Sequence, residues 1–314
     1  SKTLYAQKGE IELPQESIAG GKKKKRINMG TIFVLPCALI VIVMTVYPLI
    51  QMIVFSFSKV KLPFFELDYV GLENFIKAVT ASSFPTIVKN TVVWTFVSLA
   101  LRFLLGFTAA LLMDTGFKGK TVFRIITLVP WVVPSIVAAN LWRWIYNMDN
   151  GILNYIIRSI NPDMAINWLG TQQTALLSVV LAYVWMGFPF IMLMIVAAMQ
   201  GIPKSLTEAA AVDGANGPQI FFHITLPSIK RIIGILLVLE IINGFNTFDL
   251  LFTMTGGGPG ISSETLGLFI YRTAFTNFNF GRASAIGLML LIAVMLCFVF
   301  YAPFQRRGEK KRAA

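Results

Sequence analysis

Six stretches of the chain are apolar for about twenty residues or more, and polar segments separate them: Thr31–Phe57, Asn90–Met113, Val122–Tyr146, Thr174–Met199, Ile232–Met254 and Ser284–Phe304. An α-helix needs roughly 20 apolar residues to cross the hydrocarbon core of a bilayer. In hydrocarbon each backbone N–H and C=O must be paired within its own segment, so the six runs read as helices rather than isolated strands. The pattern predicts an all-α, polytopic membrane protein with six transmembrane helices in a domain spanning 30–304. A basic segment, 1–29, precedes it and a basic tail, 305–314, follows. The first run exceeds a signal-peptide core, and no small-x-small site follows it, so it is expected to be retained.

Composition agrees with lipid as the solvent. Hydrophobic residues make up 56% of the chain and charged ones 13%, against about 25% charged in soluble domains; the mean hydropathy is +0.70. The net charge of +12 does not indicate nucleic acid, because the cations gather at the ends and in loops with no basic face interleaved with stacking aromatics. Their distribution is a topology signal. Residues 1–30, 114–121, 200–231 and 305–314, with Arg124, hold 18 Lys and Arg, whereas 58–89, 147–173 and 255–283 hold 7. Excess cation marks the cytoplasmic side, so both termini are expected there. Lys22-Lys23-Lys24-Lys25-Arg26 and the tail from Arg306-Arg307 to Arg312 read as stops on that face, with lipid-headgroup binding as the alternative. Trp142, Trp144 and Tyr146, with Arg143 among them, read as an interfacial belt at the outer end of the third span. Cys37 and Cys297 lie within apolar runs; two such cysteines suit apolar filling, not a disulfide framework or a zinc site.

The segment between the fourth and fifth runs, about 200–230, is polar and strongly structured. Ser205 and Glu208 have the spacing of a capping box, Ala209–Ala211 favour helix, and Gly214 can end it. Gly217-Pro218 then gives a turn before a second helical stretch. A short surface helix joined by a bend to the next span is expected.

These residues carry a specific resemblance. Glu208-Ala209-Ala210, then three residues, Gly214, nine residues and Ile224-Thr225-Leu226-Pro227 resemble the EAA pattern of binding-protein-dependent ABC importer permeases. Phe123-Arg124-Ile125-Ile126, Met199-Gln200-Gly201-Ile202-Pro203, Phe245-Asn246-Thr247-Phe248-Asp249, Met254 to Pro259 and Phe280 to Ala285 are similar to the carbohydrate-uptake, maltose-type branch. The likeness runs from about 30 to 304. It implies the type I permease fold and a coupling helix that docks in a groove of an ATP-hydrolysing subunit. Glu208 would face that partner and Gly214 would allow the turn, with Ala209, Ala210, Ile224, Leu226 and Pro227 completing the docking set. It also implies a second, usually different permease subunit, two ATP-binding subunits, an extracytoplasmic solute-binding protein and a bacterial inner membrane. The maltose-transporting member carries a large periplasmic domain for which loop 58–89 is too short, which leaves any maltose-specific receptor contact without support here.

Transporter sites tend to lie near the midplane beside broken helices. Gly187 and Pro189 can kink the fourth span, where Tyr183 and Trp185 could stack on a sugar ring. Asn243, Asn246 and Asp249, three residues apart in the fifth span, would lie on one stripe and bind hydroxyls. Interhelical hydrogen bonding by the asparagines is the competing reading. Arg102 and Glu240 each lie mid-span and need a partner, so each is a candidate for the other; a proton relay is the alternative, with His223 as the chain's one histidine.

No catalytic or metal-ligating constellation is read. Gly116-Phe117-Lys118-Gly119-Lys120-Thr121 falls two residues short of a phosphate-binding loop, and Gly256-Gly257-Gly258-Pro259 lies on the outer side as a turned loop touching a receptor or sister subunit. The chain is expected to be a non-enzymatic sugar permease with no cofactor of its own, ATP and Mg being held by partners. A permease of the same family for a glycerophosphodiester or polyol is the alternative; a phosphorylated cargo would need cations in the pathway, where Arg102 is the candidate.

Overall fold

The computed structural model describes residues 29–115 and 117–310, with side chains from 33 to 299 apart from 116. Two units divide at Pro48 and Leu49. The basic run 22–26, most of segment 1–29, Gly116 and Arg312 lie outside the described residues, as do the side chains of Arg306 and Arg307.

Helix α1 (Met29–Ser56) contains the break between the units and carries Pro36 and Pro48 internally. From Phe33 to Pro48 its residues are almost all apolar, as in a helix facing lipid all round. The 58–89 loop is not unstructured. It holds a hairpin of β1 (Ser58–Lys61) and β2 (Glu66–Tyr69), paired antiparallel from Ser58↔Tyr69 to Lys61↔Glu66, and helix α2 (Glu73–Val79). The buried Asn74 amide donates to the carbonyls of Ser56 and Ser58 at 3.1 and 2.9 Å, which ties α2 to the hairpin's root.

The second apolar run is α3 (Phe84–Asp114). The third is not one helix: α4 (Lys120–Val132) and α5 (Ser135–Ile145) meet at a 102° bend. Val133 precedes Pro134, and proline's ring drives the preceding residue out of the helical region; Val133 is extended, with φ −72° and ψ 126°. The bend corrects the expected interfacial belt. Trp144 and Arg143 are exposed, but Tyr146 is buried and donates to the Ser178 carbonyl at 2.9 Å, and Trp142 packs on Trp185 and Tyr146.

After α6 (Ile152–Ile160) come α7 (Ala175–Gln200), α8 (Lys204–Val212) and α9 (Gly217–Ile220). A π-turn at Phe221–Thr225 leads into α10 (Leu226–Asn246). The fifth run ends there. Thr247 is extended with ψ 115°, and its hydroxyl bonds the Asn243 carbonyl at 2.7 Å. A separate α11 (Asp249–Met254) follows, then α12 (Leu266–Tyr271) and α13 (Phe280–Lys310), which continues six residues past the expected end at Phe304. Among the described residues α1, α3, α7 and α13 are each long and apolar enough to cross a membrane, and α4 with α5 reaches that length and apolarity only when the bent pair is taken together. Helix α10 carries Lys230, Arg231 and Glu240 and lacks the uniform apolarity of those four helices.

The core lies along α3, α7 and α10. Trp94, Val179, Tyr183, Leu250 and Leu268 centre one cluster; Met113, Ile191, Ile195 and Leu236 centre a second toward α8. Helices α3 and α7 run parallel, and Gly106 permits their close approach: a Cβ there would strike Ile191. At the Trp94 end, the turn 255–265 is held tightly by Gly256, Gly257 and Gly260, all at positive φ. The Asn90 amide donates to the Ile261 and Glu264 carbonyls at 2.9 and 3.1 Å. Glu264 itself is buried, with Oε2 2.8 Å from Arg272; burial pushes its carboxyl up and Arg272 partly offsets that. Removing the Asn90 amide would leave the buried Glu264 carbonyl unpaired, at about 1–3 kcal/mol. Asn90→Ala is therefore expected to accelerate protease cleavage and amide exchange within 255–265 while α4 and α8 keep wild-type protection.

Candidate functional site

Arg102 and Glu240 meet. Arg102 Nη1 lies 2.6 Å from Glu240 Oε2, and each residue is 5% exposed. Arg102 also donates from Nε and Nη2 to the Tyr183 carbonyl at 3.2 and 2.7 Å, with its guanidinium 3.4 Å from the Tyr183 ring centre. One ion pair thus joins α3, α7 and α10. A charge within the membrane is expensive unless paired and hydrogen-bonded, and this arrangement supplies both. Gly187 makes the space: a Cβ there would fall inside the guanidinium.

The pair lines an open cavity of about 520 Å³. Tyr183, Met186, Gly187 and Phe190 of α7 form one wall; Glu240, Asn243, Asn246 and Thr247 form another; Trp131 closes it from α4. Trp131 and Phe190 stack with ring centres 5.9 Å apart. Tyr183 stacks on Trp94 at 4.6 Å, and its hydroxyl is 2.9 Å from Thr247 Oγ1. Trp94 Nε1 donates to the Gly244 carbonyl at 3.0 Å. The cavity therefore combines fixed aromatic faces with amide and hydroxyl groups, a lining suited to a solute with both apolar and hydroxylated surfaces.

Of the residues expected to contact solute, Tyr183, Asn243 and Asn246 face this cavity, and Trp185 and Asp249 do not line it. Trp185 packs edge-on against Trp142, with ring centres 5.7 Å apart. Asp249 does not share a stripe with the asparagines, because α10 ends before it; it opens α11, where a carboxylate suits a helix N-terminus, and accepts from Ser135 Oγ at 3.5 Å. Trp131, Phe190 and Thr247 are cavity residues that sequence reasoning missed.

The second site is the α8 region. Helix α8 buries none of its residues, and Leu206 and Val212 are exposed. Ser205 is not its cap: Pro203 is at the N-cap with no side-chain hydrogen bond, and the capping box is Asn216 with Gln219 at α9. Proline at 203 fixes the start two residues earlier than a Ser205 cap would, which places Ser205 inside the helix. The other end matches expectation. Gly214 has φ +83°, and the Ala215 and Gly214 amides bond the Ala210 and Ala211 carbonyls at 2.9 and 3.1 Å, a Schellman closure. Ala210, Gly214 and Ile224 line a cleft of about 400 Å³ between α8 and the following turn. Glu208 and Ala209 are exposed on α8, and Leu226 and Pro227, half-buried, open α10.

A polar cavity opening among membrane helices, joined through α10 to a protruding surface helix, defines a membrane transport subunit. The chain belongs to the family of binding-protein-dependent transport system inner membrane components, whose profile matches residues 102–311, and is a permease subunit of an ABC importer. It is 34% identical over 282 residues to the trehalose/maltose transport system permease protein of Thermococcus litoralis, covering 89% of this chain and 94% of that one. It is also 34% identical over 246 residues to the sn-glycerol-3-phosphate transport system permease protein of Agrobacterium fabrum, covering 78% and 82%. In fold it is similar, with a TM-score of 0.78, to a chain of a bacterial ABC transporter involved in import of the acidic polysaccharide alginate, at 22% identity over 88% of this chain and 94% of that one.

Proposed function

We propose that this chain forms half of the translocation pathway of an ATP-driven importer of a sugar or oligosaccharide in a bacterial inner membrane. The observation that carries the reading is the cavity itself, where Trp131 offers a ring face and Asn243, Asn246 and Thr247 offer hydrogen bonds; both faces of the Tyr183 ring are taken, by Trp94 and by the Arg102 guanidinium. A second permease subunit supplies the other half, and a solute-binding protein delivers cargo to the outer face. Two ATP-binding subunits hold the nucleotide and Mg and hydrolyse it. Helix α8 docks in one of them, with Glu208, Ala209, Ala210 and Gly214 at the contact and Ile224, Leu226 and Pro227 carrying movement into α10. The 18-to-7 distribution of Lys and Arg supports placing both termini and α8 on the cytoplasmic side. Closure of the nucleotide subunits pulls α8, and the bundle passes from inward- to outward-facing.

The test is ATP-dependent accumulation of labelled sugars by proteoliposomes containing the assembled importer and its receptor. Asn243→Ala or Asn246→Ala each remove about one hydrogen bond to solute, so uptake of the transported sugar is expected to fall about ten-fold at limiting concentration. Wild-type uptake of every sugar by both variants would contradict the placement of cargo in this cavity.

A further inference from the structure

We propose that the Arg102–Glu240 pair is a charge filter that restricts the cavity to uncharged solutes; this rests on the cavity being the solute path. Among the residues lining the cavity, these two alone are acidic or basic, and as a salt bridge they cancel. Three of the Arg102 N–H groups are committed to Glu240 and to the Tyr183 carbonyl, and the Tyr183 ring covers one guanidinium face. An anionic solute entering here meets a cation whose counter-charge is already seated 2.6 Å away, so the wall offers no net charge to replace the water that the anion gives up. A cationic solute meets the mirror problem. An uncharged polyhydroxylated solute meets neither, and it finds neutral partners in Asn243, Asn246 and Thr247. A pair that served only to join helices could be buried away from the cavity; this one lies on its wall, held there by the space that Gly187 leaves.

The experiment measures equilibrium binding to the complete importer in nanodiscs, without receptor, using maltose and trehalose against maltose 1-phosphate and trehalose 6-phosphate. The wild type is expected to hold the neutral sugars at least about ten-fold more tightly than the phosphates. Glu240→Gln leaves the guanidinium without a counter-charge, so the preference should shift toward the phosphates by at least about ten-fold. Asn246→Lys adds a cation at an exposed wall position without touching the pair, should shift it the same way, and decides the matter alone if Glu240→Gln does not assemble. A wild type that holds phosphates as well as neutral sugars overturns the filter. So does an unchanged preference in both variants while Asn243→Ala still weakens binding, and in that case the cavity remains the solute path. Binding that Asn243→Ala, Glu240→Gln and Asn246→Lys all leave untouched removes the cavity, and the filter with it.

Discussion

Glu240→Ala is expected to destabilise the bundle by about 3–5 kcal/mol, because it strands the buried Arg102 guanidinium without its counter-ion. Arg102 is 5% exposed and is held in place by the Tyr183 carbonyl and ring as well as by Glu240. The double variant Arg102→Met, Glu240→Met removes both charges and is expected to recover most of that loss, since replacing a buried pair with well-packed apolar groups is often neutral. Exchanging the charges, Arg102→Glu with Glu240→Arg, should rescue only in part: a carboxylate at 102 would face the Tyr183 carbonyl, an acceptor against an acceptor. Gly187→Ala should resemble Glu240→Ala, as its methyl occupies the space of the guanidinium. Denaturation of the detergent-solubilised protein, followed by tryptophan fluorescence, checks the order. A single variant costing less than about 1 kcal/mol would place the pair among interactions of surface strength.

Gly214→Val is expected to abolish coupled uptake while leaving the bundle as stable as the wild type. The position has φ +83° and open space around it, so the substitution acts through backbone conformation alone. A β-branched residue is strained there by about 1–3 kcal/mol, and the Schellman closure that aims α8 is lost. Since α8 buries no residue of its own, little of that strain reaches the core. Gly214→Asn tolerates the left-handed region and should keep most of the uptake. Loss of uptake in both, or in neither, would separate function from the turn. Uptake by proteoliposomes, compared with the unfolding midpoint of each variant, reads both halves of this expectation.

The apolar runs place the long helices because hydrocarbon demands closed backbone hydrogen bonding, a constraint local enough to read from the sequence. The breaks were less legible. Pro134 signalled the bend after Val132, yet the run Val122–Tyr146 is apolar on both sides of it, and hydropathy does not register direction. The end of α10 at Thr247 has no proline or glycine to mark it; it depends on backbone torsion and a hydroxyl cap, and it took Asp249 off the expected stripe. At the cavity, a 3.6-residue period applied from Tyr183 would have selected Met186, Gly187 and Phe190 and set Trp185 aside, about 200° around the helix. Trp131 required knowing that α4 packs on α7, which no local pattern states. The Arg102–Glu240 contact joins residues 138 apart in sequence; the cost of a lone charge in lipid was enough to name both partners.

The central claim is that α8 is gripped on the cytoplasmic side by an ATP-hydrolysing partner. Cys37 and Cys297, both free and exposed on their helices, are first replaced by alanine, and Glu208→Cys is introduced into the assembled importer in sealed membrane vesicles of known orientation. The account predicts labelling of position 208 by a membrane-impermeant thiol reagent only from the cytoplasmic face, and a cross-link from it to an ATP-binding subunit. Labelling from the outer face, or an assembled and transporting complex in which position 208 never cross-links to that subunit, would contradict it.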